Sequence, residues 1–301
     1  MTINTGPLPP PHKVLLKTLL NKTTRLTWML APGLTMHMIV TLFFKPPKYK
    51  VSETDKKILS DAESFSVAVN GKKVTGWRWG DGPAVMLLHG WGGSGAQFIP
   101  FIEPLASSGF SVVTYDNPAH GRSGGRTTNY FEFIETVKAV HKHIGDVEGV
   151  VSHSMGSGAA MNLARLMDET VKFVFISPLY NLLDVLMEYV DDAGIYEAPF
   201  NAIIENLEKK FNSRLSDITP SALAGKMQSE ALIIHDENDR VTPVSEGKLL
   251  EKNWKRARLV KTSRLGHSRI LRSSNVIEQT VSFMSAKRSA VRTANYGKAA
   301  T

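Results

Sequence analysis

The feature that most constrains this chain is the alternation, from Phe65 to Phe283, of short apolar β-rich runs with helix-patterned segments. Phe65–Val69 and Lys73–Trp79 flank Asn70-Gly71, a strong hairpin signal. The apolar runs that follow are Ala84–Leu88, Ser111–Tyr115, Val147–Val151, Phe173–Ile176, Ala231–His235 and Arg258–Val260. Helical patterns separate them at Tyr130–Ile144, Met155–Met167, Pro243–Trp254 and Ser273–Phe283. Continuous apolar runs alternating with helices predict an α/β protein with a mostly parallel sheet covered on both faces. Between Pro178 and Gln228 the alternation lapses into two helical patterns, Leu182–Val190 and Pro199–Phe211. An all-helical insertion between two strands predicts a cap that shapes a substrate pocket.

The run Val150-Val151-Ser152-His153-Ser154-Met155-Gly156-Ser157-Gly158 enters apolar and leaves rich in glycine. A nucleophile at a tight strand-to-helix turn needs small residues two before and two after it, because those backbones approach closely. For Ser152 one of the pair is Val150, and for Ser157 one is Met155; both are too bulky. Ser154, flanked by Ser152 and Gly156, satisfies the rule. The helix start that follows favours a developing negative charge.

A serine hydroxyl needs a base, and the base needs an orienting group. The run Leu232 to Pro243, LIIHDENDRVTP, carries a strand into acidic residues, of which Asp239 is the first choice and Asp236 the runner-up. After the next strand, Gly266 frees the backbone to turn and His267 opens a loop, which makes it the candidate general base. Leu87 to Ser94, LLHGWGGS, ends an apolar strand with glycine-rich amides. The N–H groups of Trp91 and Met155 are the expected oxyanion hole.

From about Phe65 to Phe283 these stretches resemble the α/β-hydrolase superfamily, in which the order Ser154, Asp239, His267 is the usual one. Asp116-x-Pro118-Ala119-His120-Gly121-x-Ser123 resembles the family's D-x-P-G-H-G-x-S loop, where Asp116 and His120 are usually structural. More loosely, the chain resembles a bacterial branch with a basic, leucine-rich N-terminal helix. The resemblance implies an eight-stranded sheet, a cap after the sixth strand and hydrolysis with no cofactor. A serine nucleophile argues against the dehalogenase and epoxide hydrolase relatives, which use aspartate. Two positions depart from the pattern: Ser152 replaces the usual elbow glycine, and Asp236 stands where relatives often have glycine. The expected function is a carboxylesterase-like serine hydrolase acting on a small-molecule ester. The alternatives are a non-catalytic ligand- or lipid-binding scaffold, or an acyltransferase or thioesterase using the same triad.

The ends read differently. Leu15, Leu16, Leu19 and Leu20 recur at helical spacing among Lys13, Lys17 and Lys22, and Leu26 to Phe44 carries no formal charge. Three expectations follow for residues 1–50: packing on the main domain, interfacial contact with a membrane, or a span weakened by Pro32-Gly33. No signal-peptide cleavage pattern follows the run, so a cytoplasmic protein is expected, membrane-associated in the second arrangement. The hydrolase domain is assigned to 51–285, with its cap near 178–228, and a basic flexible tail to 286–301. The net charge of +8 gathers largely at the ends, without a nucleic-acid recognition motif. The chain has no cysteine, which excludes disulfides, thiolate metal sites and a cysteine nucleophile.

Overall fold

A computed structural model describes residues 11–286. The tail assigned from the sequence lies, beyond Ala286, outside the described residues. Three helices come first: α1 (Pro11–Leu30), α2 (Pro32–Phe43) and α3 (Glu53–Ser60). Strands and helices then alternate as β1 (Glu63–Val69), β2 (Lys72–Trp79), β3 (Ala84–Leu88), α4 (Ile99–Ser107), β4 (Ser111–Tyr115), α5 (Tyr130–Ile144), β5 (Val147–His153), α6 (Met155–Ala164) and β6 (Lys172–Ile176). Four helices fill the insertion: α7 (Leu182–Asp192), α8 (Glu197–Phe211), α9 (Leu215–Ile218) and α10 (Pro220–Leu223). The chain closes with β7 (Ala231–Asp236), α11 (Val244–Asn253), β8 (Ala257–Thr262), α12 (Gly266–Arg269) and α13 (Ser274–Ser285).

The eight strands form one sheet in the order β1-β2-β4-β3-β5-β6-β7-β8. Only the β1–β2 and β2–β4 pairs are antiparallel. The pairs from β4 across to β8 are parallel. Every residue of β3, β4, β6 and β7 is buried, as strands covered on both faces require. Apolar side chains fill a core on each face: Met86, Val113, Val150, Phe173 and Ile233 in one, Val85, Val112, Val151, Val174 and Ile234 in the other. These are neighbouring positions on the same strands, so the pleat sends alternate side chains to opposite faces.

Helix α4 was not expected from the sequence. Pro100 sits in its first turn and Pro104 inside it, which hides its periodicity. The run Leu26 to Phe44 is divided between two helices at Ala31, whose backbone (φ −148°, ψ 69°) is bent out of the helical region by the following proline. Among the described residues, no helix is long and apolar enough to cross a membrane. Instead α2 packs on the insertion, where Ile39 joins Val190, Phe200 and Ile203 in a separate apolar cluster. Its last residues thereby reach the edge of the cavity described below.

Candidate active site

The end of β5 turns sharply into α6, and Ser154 occupies the turn with φ 53° and ψ −126°. This backbone conformation is strained for a residue with a side chain, and the surroundings hold it. The Ser154 amide donates to the Ile176 carbonyl at 3.1 Å, tying the turn to the end of β6. A Cβ on Gly156 would lie 2.7 Å from the carbonyl oxygens of both Leu88 and His89, so only glycine lets α6 start against β3. Ser152 is fully buried, and its hydroxyl lies 3.2 Å from Ser157 Oγ and 3.4 Å from the Val174 carbonyl. The side chain that replaces the elbow glycine is therefore accommodated by polar contacts to the start of α6 and to β6.

Asp239 and His267 meet in the loops after β7 and β8. Asp239 Oδ2 lies 2.8 Å from His267 Nδ1 and accepts a hydrogen bond from Thr242 Oγ1 at 3.1 Å. Asp239 Oδ1 accepts from the amides of Val241 and Thr242, each at 2.9 Å. Burial alone would raise this carboxyl, but His267 and these amide donors outweigh it and hold it well below the usual carboxylate range. An ionised Asp239 accepts a hydrogen bond from Nδ1–H of His267 and so leaves Nε2 as the ring nitrogen with a free lone pair.

Asp236, the runner-up from the sequence, has a different set of partners. It is fully buried and accepts from the amides of Leu265, Gly266 and Asn238 and from Thr262 Oγ1, at 2.8–3.1 Å. Its carboxylate ties the β7 loop to the loop that carries His267, and makes no contact with the imidazole among its hydrogen bonds.

His153, next to Ser154, connects the elbow to the His267 loop. Its Nε2 donates to the His267 carbonyl at 2.9 Å, and the two rings lie 4.6 Å apart between centroids. Both ring hydrogen bonds of His267 use Nδ1; no hydrogen bond joins His267 to the Ser154 hydroxyl among the described residues. Active-site hydrogen bonds of this kind commonly shorten when substrate binds.

A family model described as alpha/beta hydrolase fold matches residues 83–200. A membrane phospholipase A, described as a bacterial virulence factor, superposes with a TM-score of 0.58 at 18% identity, covering 91% of this chain and 97% of its own. An esterase of Pyrococcus furiosus superposes with a TM-score of 0.59 at 22% identity, covering 80% of this chain and 98% of its own. The magnesium-chelatase 30 kDa subunit of Rhodobacter capsulatus is 35% identical over 28% of this chain and 31% of its own. The curated relatives are matched over only 31% to 56% of their length. The chain has the α/β-hydrolase fold.

Within this α/β-hydrolase fold, the loop after β3 is clamped by the loop after β4. A Cβ on Gly90 would sit 2.8 Å from Ser154 Cβ and 3.3 Å from the Met155 nitrogen, so the loop crosses directly against the elbow. That crossing brings Trp91, the next residue, beside Met155 at the edge of one cavity. Asp116 accepts from the Gly95 amide at 2.8 Å, and His120 Nε2 accepts from the Gly92 amide at 3.0 Å. His89 donates from Nδ1 to the Gly90 carbonyl at 2.7 Å and accepts at Nε2 from the Asn117 amide at 2.9 Å. These bonds require neutral rings. Burial lowers His89 to about 4 and His120 to about 3, and it lowers His153 to about 3.

The cavity in front of Ser154 has a volume of about 270 Å³ and no charged residue in its lining. Cap residues such as Leu182, Leu186 and Leu207 supply one side, and Phe43 and Phe44 at the end of α2 supply another. Phe44 stacks on Phe200 of α8 with centroids 6.2 Å apart. Sequence reasoning missed Phe43, Phe44, Thr242 and His153 as parts of the site. Only His153, adjacent to the candidate nucleophile, carried a local signal.

The neutral histidines set a pH dependence. In the unfolded chain His89 takes a proton below its ordinary value of 6.5, whereas in the fold it stays neutral down to about 4. The unfolded state then binds more protons, so stability falls as pH drops through that window, by on the order of 3 kcal/mol for His89 alone. His120 and His153 act in the same direction, and the buried Asp116 carboxyl, raised by burial, offsets part of their effect. Urea unfolding midpoints should fall steadily from neutral pH toward 4.5, above the range where the contribution of the ionised Asp239 is lost. A flat profile over that interval would contradict buried neutral rings.

Proposed function

We propose that this chain is a serine hydrolase that cleaves carboxylic esters with an uncharged, apolar acyl group. The reading is carried by Ser154, on its strained turn, lining a charge-free apolar cavity one residue away from the His153–His267 contact. In this scheme His267 Nε2 takes the Ser154 proton as Oγ attacks the acyl carbon. Asp239 holds Nδ1–H and stabilises the imidazolium. The amides of Trp91 and Met155 donate to the tetrahedral oxyanion. The proton on His267 then passes to the departing alcohol, and water, deprotonated by the same nitrogen, releases the acid and restores Ser154.

The cavity supports the choice of substrate. An acid, phosphate or ammonium group in it would lose its hydration with no ionic partner among the lining residues, whereas an acyl chain gains by leaving water. Sharing a fold with proteins named esterase and phospholipase A is in keeping with ester substrates.

A fluorophosphonate should add once to the intact protein, on the peptide containing Ser154. Ser154→Ala should keep the wild-type melting temperature while losing roughly a thousandfold or more in kcat. An adduct on a peptide lacking Ser154 overturns the assignment.

Phe44 tests the pocket itself. Removing its ring opens the wall against Phe200, so Phe44→Ala should shift the kcat/KM ratio of long-chain over short-chain p-nitrophenyl esters upward by about tenfold. An unchanged chain-length ratio would place the acyl group elsewhere.

A further inference from the structure

Helix α1 presents its apolar stripe to solvent. Leu15, Leu19, Leu26, Met29 and Leu30 are all exposed, Leu15 by 71% and Leu30 by 77%. At 100° per residue they fall within an arc of about 100° on one side of the helix. The polar side faces inward. Thr24 is buried and accepts from the Tyr196 amide at 2.9 Å, and Lys17 pairs with Asp191 of α7 at 2.6 Å. A Cβ on Gly194 would lie 2.7 Å from the Lys17 carbonyl oxygen, so the cap fits closely against this side of α1. The usual arrangement of a surface helix, apolar side in and polar side out, is reversed.

Helix α2 repeats the pattern over a shorter length. Leu34, Met38 and Leu42, four residues apart, are exposed, whereas Ile39 is buried in the cluster with Phe200 and Ile203. Elsewhere among the described residues, large exposed hydrophobic side chains are few, and three of them, Leu183, Tyr189 and Val241, belong to the cap or the cavity rim. An apolar surface of this kind marks a binding face.

The charge on the segment selects the occupant. No acidic residue precedes Glu53, whereas Lys22, Arg25, Lys45, Lys48 and Lys50 accompany the two helices. A twofold dimer through this face would set the same basic patch against itself, with no carboxylate from the segment to neutralise it. An anionic bilayer surface offers apolar depth and negative charge together.

We propose that the outer sides of α1 and α2 dock onto anionic phospholipid membranes. Phe43 and Phe44 at the end of α2 line the cavity, so the docking face and the pocket wall share one helix. The docking face stands independently of the ester-hydrolase reading, and its test is arranged to separate the two.

The test is cosedimentation of the full-length chain with phosphatidylcholine vesicles, with and without phosphatidylglycerol, alongside sedimentation velocity without lipid. The wild type should pellet with the anionic vesicles, less so with neutral ones, and less again at high salt. The exposed triple variant Leu15→Ser, Leu19→Ser, Met29→Ser should lose about tenfold or more in vesicle affinity. It should keep its melting temperature and its hydrolysis of a soluble short-chain ester. Ser154→Ala should pellet as the wild type does, so loss of activity and loss of docking are read separately. Equal pelleting of wild type and triple variant overturns the proposal. So does a lipid-free wild-type dimer that the triple variant dissociates, without vesicle binding by either.

Discussion

The site depends on the contact between the start of α6 and the end of β3. Gly156 lies against the carbonyls of Leu88 and His89, and Gly90 lies against the Ser154 Cβ. With no Cβ at either glycine, the turn is held in the conformation that Ser154 would not adopt alone (φ 53°, ψ −126°). The same contact brings the Trp91 segment beside the first residue of α6. The strained turn at Ser154 and the approach of the Trp91 segment to Met155 are thus products of one packing constraint. The polar bonds of Asp116, His89 and His120 then keep the loop from relaxing away.

A second constraint separates the two aspartates after β7. Three residues apart, they divide the work between geometry and charge. Asp236 gathers the backbone of the His267 loop through Leu265 and Gly266, and Asp239 meets the imidazole itself. His153 adds a third tie by donating to the His267 carbonyl. The imidazole is therefore positioned from β5, β7 and β8 together. This leaves it less freedom than a histidine in a loop normally has, which lowers the entropy cost of reaching a catalytic arrangement.

Much of the sheet was legible because a parallel sheet covered on both faces needs continuous apolar strands, and five residues such as Ala84–Leu88 or Ser111–Tyr115 have few other uses. Ser154 was legible because steric exclusion at a tight turn is local. The preference for Asp239 over Asp236 was legible from its place in the loop after the strand, and the imidazole meets Asp239. The amides that Asp236 gathers from the His267 loop were not legible, since spacing does not say which backbone a carboxylate will hold. Helix α4 was obscured by Pro100, which its first turn tolerates, and by Pro104 inside it. Phe43 and Phe44 were invisible as pocket residues. Their role arises from α2 folding back across the cap, and nothing in the local pattern encodes that distance. The leucine stripe of α1 was visible, but not that its polar side faces the protein.

The central claim is that Asp239 works on the imidazole and Asp236 on the loop. Parallel measurement of kcat/KM and melting temperature for Asp239→Asn and Asp236→Asn tests it most directly. The account predicts that the folded fraction of Asp239→Asn loses roughly a thousandfold or more in kcat/KM, because the amide favours the wrong imidazole tautomer. It predicts that Asp236→Asn melts markedly lower and that its folded fraction keeps far more activity. The reverse order, with Asp236→Asn the inactive variant and Asp239→Asn near wild type, would contradict it.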